Sequence, residues 1–193
     1  DTAIANAKSR ELDVVMVDPN HADEEIEGMH IENLDTMDIR QVSLPTQSES
    51  EYTLEDGKKM TIGNNVTGDV AVRKALAIGI DRQKIIDDAL NGIGTPATGF
   101  TNNLEWADPI SYKDNQKEEA KTVLEDAGWV MGEDNIYEKN GQKCHFQVLA
   151  PTGDTARFQL AEALAAEAKE LGIKIDVDQK SWDELTELAP TCG

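Results

Sequence analysis

Apolar residues recur at helical spacing in the middle of the chain. Val72, Ala75, Leu76 and Gly79 form one stripe and Arg73 and Lys74 fall off it, which predicts a helix that buries one face against a larger body. Ile80 and Asp81 mark a change of direction. An Asp at this place suits the orphan N–H groups of a following first turn, Arg82 to Lys84, and the apolar positions resume at Ile85, Ile86, Ala89 and Leu90. Gly92 and Gly94 are expected to end this second helix, and Pro96 prevents its resumption.

The same reasoning extends in both directions. A third helix is predicted over 115–127, with Ala120, Val123, Leu124 and Ala127 on one face, Gly128 as its left-handed stop and Trp129 closing onto Leu124. Residues 132–141 read as a hairpin, with Asn140-Gly141 a type I′ turn signal. Phe146 to Ala150 is an apolar strand, Ala156 to Leu171 a helix, Gly172 its stop, and Ile173, Ile175 and Val177 alternate as a strand. That strand-helix-strand unit requires a parallel pair. Upstream, Thr2 to Arg10 reads as the tail of a helix, and Val14 to Val17 is a short apolar run. Residues 28–38 read as a turn and short strand, and Arg40 to Pro45 as another strand in which Val42 and Leu44 alternate with polar neighbours. Between them and the first stripe, 47–65 is a polar surface loop whose one regular feature is a hairpin arm at Tyr52 and Leu54. The fold class expected is α/β, a mixed sheet flanked by helices, in a single domain over 1–193.

Charge removes one class of partner. Against 18 basic residues stand 38 acidic ones, a formal net charge of −20 on 193 residues, which repels a phosphate backbone, so no nucleic-acid partner is expected. With 39% hydrophobic residues the chain is globular in composition, and no apolar run approaches the roughly 20 residues that span a bilayer. Cys144 and Cys192 are free thiols or one pair. Candidate chemistry is sparse. The stretch 18–25 gathers carboxylates around His21, yet its spacing is not that of a calcium loop, and Glu133, Asp134 and Asn135 lack the alternation such a loop needs. His30 and His145 are isolated and read as structural. With no hydrolase, Walker, paired-cysteine or dinucleotide motif, no catalytic residue, resident metal or cofactor is expected.

The stretch VRKALAIGIDRQKIIDDALNG followed by GTPATG resembles the central signature of the extracellular solute-binding proteins, family 5, that feed oligopeptide, dipeptide and nickel ABC importers. Val72, Arg73, Ala75, Leu76, Ile80, Asp81, Arg82, Gly92, Gly94, Pro96 and Ala97 fall on the fixed positions, and AKTVLEDAGW is similar to a second family hallmark. The resemblance runs from Glu11-Leu12-Asp13 to Trp182. It implies that Val14 to Val17 is a buried strand and that the chain is an internal piece of a longer protein, part of the C-terminal lobe of a two-lobed type II periplasmic-binding-protein fold. It further implies capture of an oligopeptide or nickel chelate, delivery to ABC permease subunits, a monomer, and a place outside the membrane, periplasmic or lipid-anchored. The alternative is a stand-alone acidic interaction module without a small-molecule ligand. In open α/β sheets ligands meet the carboxyl ends of strands, where helix N-termini point outward. That rule, with the family's placement of ligand-facing residues before the VRKAL helix and at the start of the later helix, selects Thr46, Thr152, Asp154 and Arg157. Thr152 or Asp154 also suits a helix cap, and the two roles are compatible.

Overall fold

The computed structural model describes residues 2–34, 36–97, 99, 101, 104–107 and 113–189. Cys192 lies outside them, and the connector at 100–112 is described only in part. In chain order the helices are α1 (Thr2–Lys8), α2 (Val70–Gly79), α3 (Arg82–Leu90), α4 (Lys117–Asp126), α5 (Thr155–Glu170) and α6 (Trp182–Leu188). The strands are β1 (Ser50–Thr53), β2 (Lys59–Ile62), β3 (Val130–Met131), β4 (Tyr137–Lys139), β5 (Gln142–Lys143), β6 (His145–Pro151) and β7 (Lys174–Lys180). The ladders are mixed in sense. β1–β2 and β3–β4–β5 are antiparallel, and β6 pairs with β7 in parallel, Phe146 opposite Ile175 and Val148 opposite Val177.

The helical expectations are met through caps that the sequence supplies. Asp69 accepts the N–H of Ala71 to open α2, and Asp81 accepts the N–H of Lys84 to open α3. The left-handed end of α3 falls first on Asn91, with φ 50°, before Gly92 continues the turn at φ 76°. Gly128 and Gly172 both take positive φ, 88° and 77°. Around each, paired bonds close the helix: Trp129 and Gly128 donate to Leu124 and Glu125 at 3.0 and 2.9 Å, and Ile173 and Gly172 to Ala168 and Lys169 at 3.0 Å. Asn140 and Gly141 sit at φ 53° and 78°, as a type I′ turn requires.

Packing gathers these elements around one main core. Val72, Ala75 and Leu76 of α2 join Ala120 and Leu124 of α4, Phe146 and Val148 of β6, and Ala161, Ala168, Leu171 and Ile173. Gly79 lets α2 and α4 approach closely, because a Cβ there would stand 2.7 Å from Ala120 Cβ and from Leu171 Cδ1. Ile86, Ala89 and Leu90 of α3 cover Ala156 at the start of α5. Deep between α3, α4 and α5, the carboxylate of Glu167 faces Lys84 at 3.4 Å and Lys117 at 3.5 Å with 1% of its side chain exposed.

Three expected strands are not strands. Residues 14–17, 28–38 and 40–45 run without a ladder partner among the described residues, and Val14 and Met16 are 85% and 95% exposed. Alternation marks a face, but a strand also needs a neighbour for its N–H and C=O groups, which no local pattern provides. Leu44 alone of the 40–45 pair packs on the core, while Val42 is exposed. The polar loop at 47–65 does carry the expected hairpin, as β1 and β2.

The two helix-ending glycines differ in what surrounds them. A Cβ at Gly172 would lie 2.8 Å from Tyr137 Cδ2 and 2.9 Å from Met131 Cε, whereas at Gly128 it meets only Lys139 Cε at 3.9 Å. Gly128→Val is therefore expected to lose about 1–2 kcal/mol from left-handed strain alone, and Gly172→Val about 1–3 kcal/mol more from overpacking. Urea midpoints of the two variants check this, and equal losses would contradict it.

Candidate functional site

The carboxyl end of β6 is where polar groups collect. After Pro151 the chain turns, and the N–H of Thr152 donates to the carbonyl of Lys180 at the end of β7, 2.8 Å away. Asp154 then caps α5, its Oδ1 accepting the N–H of Arg157 at 2.9 Å. Oδ2 of the same carboxylate takes the Arg157 guanidinium, which lies 5.7 Å from the ring centre of Trp182 on α6. Partial burial works to raise the Asp154 carboxyl. The Arg157 N–H and guanidinium outweigh it, with Arg40 adding positive potential, and hold it below the usual carboxylate range. α5 extends over 16 residues, so its positive end adds to the field at this edge.

Thr152, Asp154 and Arg157 are thus brought together at one edge. Thr46 is not joined to them by any hydrogen bond among the described residues. It is exposed, and the next residue, Gln47, accepts the N–H of Asn64 at 2.9 Å, which ties this segment to the turn before α2. Asp154 takes the cap role expected from the sequence and pairs with Arg157 at this edge.

A second polar cluster stands at the amino end of α2, and sequence reasoning missed it. Asp69 Oδ2 accepts from Trp129 Nε1 at 3.1 Å and from Lys139 Nζ at 2.8 Å, while Lys139 sits 5.8 Å from the Trp129 ring centre. Burial pushes the Asp69 carboxyl up, but the Lys139 ammonium, the Ala71 N–H and the Trp129 indole pull it below its ordinary value. The cluster borders an open concavity of about 420 Å³ lined also by Ser48, Asn65, Asn140 and Gln142. Its charges are compensated internally, which suits tying the β4–β5 turn to α2. The signal available was Asp69 as a cap, since its other partners lie 60 and 70 residues away.

Elsewhere, His21 Nδ1, at the end of the turn Pro19–His21, approaches Glu24 at 3.9 Å, and no group of three or more potential metal ligands occurs among the described residues. Cys144 is buried, and desolvation pushes its thiol up to about 12, which keeps it in the thiol form.

The described residues form a mixed α/β body with a charged edge at the end of β6. Comparison with known proteins gives the family. Residues 1–190 match the family described as bacterial extracellular solute-binding proteins, family 5 Middle. Protein XP55 of Streptomyces lividans is 31% identical over 181 residues, covering 92% of this chain and 30% of its own length. The oligopeptide-binding protein AppA of Bacillus subtilis is 30% identical over 130 residues, covering 64% of this chain and 24% of its own. The crystal structure of NikZ from Campylobacter jejuni in complex with Ni(L-His) superposes with a TM-score of 0.66 at 22% identity, over 94% of this chain and 34% of that one, and so shares the fold. The chain belongs to the family 5 bacterial extracellular solute-binding proteins, and it spans about a third or less of the length of these relatives.

Asp69 and Asp154 both have depressed folded-state values, so each contributes stability that is present above the unfolded value of about 3.9 and is lost as pH falls through the folded one. Urea unfolding at falling pH is expected to show the parent chain weakening below about pH 4, and Asp69→Asn, which keeps a cap, losing less over the same interval. An acid limb unchanged by Asp69→Asn would contradict this.

Proposed function

We propose that this chain is part of the C-terminal lobe of the solute-binding component of an ABC importer. Its solute is an oligopeptide or a nickel chelate, and the edge formed by Thr152, Asp154 and Arg157 faces that solute, with Thr46 on the segment leading to α2. The observation that carries the reading is the family match over residues 1–190 together with this charged edge at the end of β6. Capture requires only a cleft with a few orientation-fixing polar groups and a hinge that closes it. The whole protein, a monomer, works outside the cytoplasmic membrane, in the periplasm or on a lipid anchor, and hands its solute to the permease. In this reading affinity arises when a second lobe closes over the edge, and this chain supplies one wall.

Calorimetry tests this at two levels. The 193-residue chain is expected to show no submicromolar binding of trialanine or nickel-histidine. In a full-length protein carrying this lobe, Arg157→Ala is expected to weaken solute binding about tenfold or more with the melting temperature nearly unchanged. Submicromolar binding by the chain alone, or full-length affinity indifferent to Arg157, would contradict the reading.

A further inference from the structure

Two guanidiniums act on the carboxylate of Asp154, and only one is committed to it. Arg157 occupies both oxygens, its backbone N–H at Oδ1 and its guanidinium at Oδ2. Arg40 adds positive potential from the segment before Thr46. Among the described residues Arg40 pairs with one acid, the exposed Asp38, whose Oδ2 stands 3.5 Å from Nε, longer than a good hydrogen bond. Its Nη1 is shielded from solvent and has no hydrogen-bond partner among the described residues, and only 26% of the side chain is exposed. A guanidinium carries five N–H donors and cannot shed its proton, so a nitrogen held from water without an acceptor costs free energy that an incoming anion recovers.

We propose that Arg40 is a solute-binding residue that takes a carboxylate group of the solute at the Asp154–Arg157 edge. The inference rests on the reading that this edge faces the solute, and it deepens that reading by naming the group received. With Arg157 neutralised by Asp154, Arg40 supplies the uncompensated charge, and the positive end of the 16-residue α5 adds to it. The planar fork of a guanidinium matches a carboxylate in two parallel hydrogen bonds. On a chain of net charge −20 an anionic group is held only where local cations outweigh the general field. Both solute classes bring such a group, the C-terminus of an oligopeptide and the carboxylate of an amino-acid chelate of nickel.

Calorimetry on a full-length protein carrying this lobe tests the assignment with two pairs of solutes. Trialanine is compared with trialanine amide, and nickel-histidine with nickel-histamine, the second member of each pair lacking the carboxylate. The parent is expected to prefer the carboxylate-bearing member of one pair by about tenfold, and that pair identifies the source of the group. Arg40→Gln should remove the preference and leave the affinity for the other member unchanged, with Arg40→Lys keeping part of it. A parent indifferent to the carboxylate, a loss shared equally by both members, or no loss in Arg40→Gln overturns the proposal, and the edge reading stands where Arg157→Ala still weakens binding. If neither substitution changes affinity, or if neither solute class binds, the edge reading falls and the role of Arg40 with it.

Discussion

Glu167 carries a carboxylate with 1% exposure into the space between three helices, and a charge removed from water persists only where cations and hydrogen bonds meet it. Lys84 of α3 and Lys117 at the start of α4 supply the cations, and the N–H of Asp81 donates to Oε2 at 3.3 Å. The joint between α2 and α3 is placed by that requirement. Asp81 also accepts from Asn115 Nδ2 at 3.0 Å, Arg82 binds the Ala77 carbonyl at 3.0 Å and the Asp114 carboxylate, and the N–H groups of Asn115 and Gln116 reach the carbonyls of Ile80 and Ile78. With α3 so fixed, Ile86, Ala89 and Leu90 close over Ala156, and the start of α5 is set in position. The acidic edge of the molecule thus depends on a buried acid one helix length away.

What the sequence made legible was local. Stripes at helical period, an Asp before α3 and a glycine after α4 and α5 each act within a few residues, and the structure follows them to within a residue or two. The misplaced strands at 14–17, 28–38 and 40–45 show the converse. The apolar run at 14–17 and the alternation of Val42 and Leu44 suggest strands, but a strand is completed by a neighbour that no window of sequence contains, and without one Val42 is exposed while Leu44, two residues on, packs on the core. The same limit applied to the site. The Asp154 cap was legible because a cap and its first turn are adjacent. Trp182 was visible as a landmark but not as the partner of Arg157, and the meeting of Asp69 with Trp129 and Lys139 joins elements 60 and 70 residues apart.

The charged edge offers one acid already paired, one guanidinium shared between that acid and an aromatic ring, and backbone groups at the ends of β6 and β7. Each is anchored by an element whose position the core determines. The concavity at the amino end of α2, by contrast, is bordered by charges that satisfy one another, and it reads as a seam that fastens the β4–β5 turn to the helix.

Hydrogen–deuterium exchange on a full-length protein carrying this lobe, with and without its solute, separates these two places directly. Protection on solute binding is expected at 152–158, with 65–72 unchanged. Protection confined to 65–72 and the β4–β5 turn, with the start of α5 exchanging as before, would place the solute at the other cluster and contradict the assignment of the edge.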